Sequence, residues 1–194
     1  AGELMFQRVL AEIKAGSTET ARVLDELERD ARFDLENQWQ SEWHLARAWL
    51  LEGKVREAYE RVTARIEGKG VGDAAAFAQL KPELRARMAW LQVWLALEAQ
   101  RPEQTVALAD ALLASLPPLD TTLAGEIRST TLLRKGRSEL QLGLETAALA
   151  TLNKVRADFP EAEAAIQSYL IEADCYGDQV KMVEAQKRLT WLND

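Results

Sequence analysis

The sequence predicts an all-α fold of about ten antiparallel helices arranged in pairs, and three observations predict it. Strong helix formers (Ala, Leu, Glu, Arg and Gln) dominate the 194 residues. β-Branched residues are scattered and never form the alternating run a strand requires. Turn signals cut the chain at short intervals, at Gly16–Ser17, Gly53–Lys54, Arg101–Pro102, Gly143 and Gly177–Asp178. Longer breaks fall at Gly68–Lys69–Gly70–Val71–Gly72–Asp73 and at Pro117–Pro118–Leu119–Asp120.

The segments between breaks read as helices over 3–15, 17–32, 36–52, 54–67, 82–100, 102–116, 121–142, 144–158, 161–177 and 181–193. The first opens directly after Ala1–Gly2 and stops at Gly16. Ser17 stands where it would cap the second. Gly53 separates the third from the fourth. Pro82 and Pro102 fall in the first turn of the fifth and sixth, where a missing N–H costs nothing. Asp120 is placed as the N-cap of the seventh, and Gly143 and Gly177 divide the remainder. The sequence leaves open whether the 68–81 insertion forms a short helix of its own.

The pairs repeat. Aligned on a small residue early in each second helix (Ala21, Ala58, Val106, Ala148 and Ala185), they are spaced by 37, 48, 42 and 37 residues, with most of the excess in the two long breaks. Repeat two carries Leu45, Ala46, Trp49, Gly53 and Ala58. Repeat four carries Leu132, Gly136, Gly143, Ala148, Leu152 and Pro160, and repeat five Tyr169, Ala173, Tyr176, Ala185 and Leu189. Repeat one keeps Met5, Gly16 and Ala21. Repeat three fits least well, with Trp90 in place but Trp94 where a small residue is expected.

In these positions the chain resembles the tetratricopeptide repeat family over nearly its whole length. The resemblance implies a right-handed α-α superhelix, a solenoid forming one repeat domain over 1–194, with repeats near 1–35, 36–68, 82–117, 121–158 and 161–194. Small residues such as Ala46, Ala58, Gly136, Ala148 and Ala173 would let paired helices approach, and Trp49, Trp90 and Tyr176 would fill the space between repeats. The segment 152–162 followed by 169–176 also resembles periplasmic tetratricopeptide proteins of bacterial envelope assembly. That implies a periplasmic location, with the cytoplasm as the alternative. The chain lacks an initiator Met and any signal-peptide pattern, and is read as a piece of a larger protein.

Several classes of function are disfavoured. Lys and Arg number 24 against 31 Asp and Glu, a net charge of -7, which opposes non-specific binding to phosphate backbones. Arg134–Lys135–Arg137 and Lys187–Arg188 read as solvated helix faces. A single cysteine, Cys175, allows no internal disulfide and no thiolate metal cluster. With Asp174 beside it, it reads as a small core residue. His44 is the only histidine and has no ligand-spaced neighbour, so no metal site is expected. The serines lack a G-x-S-x-G context, the 68–72 glycines lack the lysine-serine ending of a phosphate loop, and paired acids such as Glu26 with Asp30 look exposed. Neither a cofactor nor catalysis is expected, and no apolar run approaches the ~20 residues of a membrane span.

What remains is binding of a protein or peptide. In the register set by Ala58, Trp43 projects from its helix towards the inner, concave surface that the resemblance implies. Gln40, Arg47 and Leu50 point the same way from repeat two, and Met88, Leu91, Leu95 and Glu98 from repeat three. Leu133, Arg137, Leu140 and Gln141 follow from repeat four, and Gln167, Leu170 and Asp174 from repeat five. The expected contact set is Gln40, Trp43, Arg47, Leu91, Leu95, Leu133, Arg137, Gln141 and Asp174, an apolar strip edged by polar groups that suits a partner's helix or extended segment. The family's chaperone-binding members clamp a terminal carboxylate with Lys and Asn. Trp43 and Arg47 stand in those places, so that specificity is not implied. A structural alternative rests on the apolar terminal helices: Leu4, Met5, Phe6, Val9 and Leu10 at one end, and Met182, Leu189, Trp191 and Leu192 at the other, would support self-association.

Overall fold

A computed structural model describes residues 2–69 and 74–175. Among them are ten α-helices and no strand. They are α1 (Gly2–Lys14), α2 (Thr20–Leu27), α3 (Leu35–Leu51), α4 (Val55–Ile66), α5 (Ala74–Gln79), α6 (Pro82–Glu98), α7 (Pro102–Ser115), α8 (Thr121–Gln141), α9 (Glu145–Asp158) and α10 (Glu163–Cys175). The expected helix over 181–193 and the Cys175 side chain lie outside the described residues.

Local chemistry explains most boundaries. Pro82 and Pro102 each open their helix at the first position. Asp120 caps α8, its carboxylate accepting from the N–H groups of Thr122 and Leu123 at 2.9 and 3.3 Å. Asp34 does the same for α3 through the Asn37 N–H. Gly53 and Gly143 close α3 and α8 with one and the same turn. Each takes a positive φ, 77° and 74°, and the residue after it donates back to the carbonyl five positions earlier.

The second helix is shorter than its periodicity suggests. Ser17 does not cap it. The Ser17 hydroxyl accepts from the Glu19 N–H, the Thr20 hydroxyl donates to the Ser17 carbonyl, and the helix opens only at Thr20. At the other end, the Asp30 carboxylate captures both the backbone N–H and the guanidinium of Arg32. That local alternative competes with helix continuation, and Phe33 then turns into the core. The same contact with Arg32 lowers the Asp30 pKa to about 2. The insertion forms α5, whose Phe77 ring meets that of Trp39 at 5.2 Å.

The chain divides after Ala99 into two compact units, and the helices of the expected third repeat, α6 and α7, fall on opposite sides of that division. Within each unit one packing rule recurs. Consecutive helices pack as hairpins, and the first helix of a pair also packs on the first helix of the next. The first unit follows it as α1 on α2 and α3, and α3 on α4 and α6; the second as α8 on α9 and α10.

In the first unit Val9, Leu24, Phe33 and Leu45 form a buried core, with Met5, Phe6, Leu27 and Trp49 against it. Of the apolar residues expected to leave the first helix sticky, only Leu4 is exposed, at 76 %. In the second unit Leu132, Leu133, Leu152, Val155 and Ala164 form the core. Gly136 is what lets α8 and α9 meet there, because a Cβ at that position would lie 2.8 Å from the Leu152 Cδ2. Ala46, Ala58 and Ala148 are likewise fully buried, and Ala173 nearly so.

Candidate functional site

Helix α3 carries the first unit's chemistry on two faces. Trp39, Glu42, Leu45 and Ala46 point inward and are buried, while Gln40, Trp43, His44 and Arg47 are half-buried or exposed. The 74–79 helix and Leu80 bring the start of α6 alongside this second face. The result is an open cavity of about 330 Å³ lined by Glu36, Gln40, Trp43, His44, Lys81, Glu83, Leu84 and Arg87.

Trp43 is the centre of this site. Its indole meets His44 edge-on at 5.1 Å, and the Arg47 guanidinium lies 4.3 Å from its ring centre, a cation–π contact. The indole N–H is sealed from solvent and has no acceptor among the described residues. Leaving a buried donor unsatisfied costs about 1–3 kcal/mol, so such a group is retained at a cost. Burial, and then the charge of Arg47, lower the His44 pKa. On the rim Lys81 pairs with Glu36 at 2.5 Å, which raises the Lys81 pKa.

The other face of α3 holds a buried ion network. Arg61 binds Glu42 through two bonds of 2.8 and 2.6 Å and Asp25 at 2.6 Å, and Arg65 binds Glu28 through two of 2.7 and 2.6 Å. Arg65 also lies 5.2 Å from the Trp39 ring centre. Burial first, and then the nearby charge of Glu42, raise the Glu28 pKa to about 7 against the pull of Arg65. For Arg61, burial opposes the charged form, but Glu42 and Asp25 outweigh it and leave its pKa raised. Asp25, Glu28 and Glu42 bring carboxylate oxygens within 4.8 Å of one another, a spacing that could suit a cation. Two guanidiniums already occupy that position, so the arrangement ties α2, α3 and α4 together.

Of the nine residues expected to make contact, the structure brings together Gln40, Trp43 and Arg47. Leu91 and Leu95 are fully buried and Leu133 is 8 % exposed, so these three are core residues rather than accessible surface. The one-face register fails on α6 because that helix is buried nearly all round, at Ala86, Met88, Leu91, Gln92, Val93, Leu95, Ala96 and Leu97. In the second unit Arg137 and Gln141 are exposed one turn apart on α8, and Asp174 is exposed on α10. None of them lines the depression of about 590 Å³ between the start of α8 and residues 158–164.

Sequence reasoning missed Lys81, Glu83, Leu84 and Arg87, because the insertion that delivers them carries no repeat register. It also missed the ion network, although a signal was present: Glu42 interrupts the apolar stripe of Trp39, Leu45 and Ala46 and demands a buried cation. No protein-family model, no curated protein and no solved structure matches this chain.

Proposed function

We propose that this chain is a non-catalytic module that binds a segment of a partner protein, with the Trp43 face of α3 as its principal contact. The observation that carries the proposal is the Trp43 indole N–H. It is buried and lacks an acceptor among the described residues, on a side chain that lines an open cavity with Gln40 and carries the Arg47 guanidinium over its ring. Half-buried tryptophan with arginine beside it is the composition of binding hot spots. A turn of the indole on binding would expose the N–H to a peptide carbonyl or polar side chain, which would supply the missing acceptor.

The wider architecture belongs to the same proposal. Tetratricopeptide-like pairs winding as a right-handed superhelix are supported by the recurring packing rule within each unit and by the shared turns at Gly53 and Gly143. The envelope location implied by the 152–176 rhythm is part of it too. Fractionation of the source cells tests it, and recovery in the cytoplasmic fraction contradicts it.

Selection from a displayed peptide library tests the binding. Wild type should enrich peptides that Trp43→Ala binds at least about 30-fold more weakly, the loss expected of a ~2 kcal/mol hot spot. Failure to enrich any peptide, or equal binding by the variant, would overturn the proposal.

A further inference from the structure

Resting on that peptide-binding reading, we infer that the cavity beside Trp43 receives an uncharged, apolar side chain of the partner segment, seated between Leu84 of α6 and the His44 ring of α3. Seating requires His44 to be neutral.

The walls carry the inference. The charged residues that line the cavity are two carboxylates, Glu36 and Glu83, and two cations, Lys81 and Arg87, so their charges cancel. Glu36 and Lys81 are joined at 2.5 Å, and Glu83 stands one turn before Arg87 on α6. Lys81, Glu83 and Arg87 are exposed and form the rim, whereas Gln40, Trp43, His44 and Leu84 are half-buried and form the floor. A charged guest would leave water for walls that offer it no net counter-charge. An apolar guest covers Leu84 and the two rings, and burying a Leu- or Phe-sized group is worth roughly tenfold or more in affinity. Gln40 carries no charge and is placed to meet the partner's backbone.

His44 makes this seat sensitive to protons. Its ring meets Trp43 edge-on at 5.1 Å and Phe6 of α1 at 6.1 Å, so aromatic faces already flank it. On its own helix Arg47 lies nearby, and across the cavity stand Lys81, Glu83 and Arg87 with Glu36. The α1 charges Glu3 and Arg8 are exposed. Those of α2 and α4 (Asp25, Glu28, Arg61 and Arg65) are tied to one another and to Glu42 on the far side of α3. Burial first, and then Arg47, already favour the neutral imidazole. An apolar guest covers the ring further and penalises the imidazolium more. Binding should therefore weaken as pH falls below ~6.5, and by reciprocity the guest should lower the His44 pKa. An acidic guest would raise it.

The test has two arms. In the first, a positional-scanning library of acetylated, amidated nonapeptides is passed over immobilised wild type and Leu84→Asn, with circular dichroism to check that the variant folds. At pH 7.5 wild type should retain pools fixed as Leu, Met or Phe at least about fivefold over the Asp, Lys and Asn pools. Leu84→Asn should erase that preference. In the second arm the best-retained peptide is titrated into wild type while the ring C–H signals of His44, the only histidine, are followed by NMR against pH. Saturation should lower the His44 pKa by at least about half a unit. If Leu84→Asn does not fold, this second arm decides. A preference for charged pools, an apolar preference that survives Leu84→Asn, or a His44 titration unmoved or raised at saturation would sink this inference. Retention lost in Trp43→Ala would in each case leave the peptide-binding reading standing. No retention of any pool would overturn both.

Discussion

The ion network between α2 and α4 yields a prediction in which two substitutions at one salt bridge have opposite effects. Glu28 and Arg65 join through two short hydrogen bonds, and their side chains are 2 % and 7 % exposed. The folded-state pKa of Glu28 lies at about 7 against an ordinary 4.5. At 1.36 kcal/mol per unit, ionised Glu28 destabilises the fold by about 3 kcal/mol relative to its neutral form. Because its pKa is raised, its contribution is most favourable below pH ~4.5 and is lost as pH rises towards ~7. Glu28→Gln, a neutral isostere, should therefore match wild type at pH 4.5 and exceed it at pH 8 by up to ~3 kcal/mol. Arg65→Met should cost ~3–5 kcal/mol at pH 8, because it strands the buried Glu28 without its cation beside Glu42, which keeps Arg61.

Urea unfolding at both pH values, followed by tryptophan fluorescence, measures these effects in the right place. Five of the six tryptophans (Trp39, Trp43, Trp49, Trp90 and Trp94) lie in the first unit. His44 titrates in the same unit with the opposite sign, since its lowered pKa makes it lose stability as pH falls below ~6.5. The difference between wild type and Glu28→Gln removes that contribution. If Glu28→Gln destabilises the chain at pH 8, or the difference does not change with pH, the argument from burial and Glu42 repulsion is refuted.

Other substitutions probe the packing and the turns. Gly136→Ala should destabilise the second unit by ~1–3 kcal/mol in chemical denaturation, because its methyl would press on the fully buried Leu152. Ala148→Glu, which buries a charge at a fully enclosed position, should unfold that unit; an unchanged thermal melt would contradict the placement. Asp120→Ala should cost ~1 kcal/mol by removing the α8 cap, read as a lowered urea midpoint. Gln100→Gly should stabilise by roughly 1 kcal/mol, since Gln100 holds a left-handed φ of 56° at the end of α6 that glycine adopts without strain.

Much of the helical framework is legible in the sequence because its signals are local. Pro82, Pro102, Gly53, Gly143 and Asp120 act within one turn of themselves, and each stands where its chemistry requires. Ser17 and the 28–33 segment differ because Asp30 and Arg32 offer the backbone an alternative that periodicity cannot register. The site was half legible. Gln40, Trp43 and Arg47 share a helix face, so one register places all three. Leu91, Leu95 and Leu133 were misassigned because helices buried on several sides have no single inward face. Arg87 depends on how an insertion of irregular length packs, and no spacing rule reaches across it.

The most direct test of the account is the indole N–H spectrum of the ¹⁵N-labelled chain, its six signals assigned by single Trp→Phe substitutions and then titrated with a peptide enriched from the displayed library. The account predicts that the Trp43 signal moves downfield as its N–H gains an acceptor, while Trp39, buried one turn earlier on α3 against Phe77, stays in place. Saturable binding that leaves the Trp43 signal where it was would contradict the account and move the contact surface elsewhere on the chain.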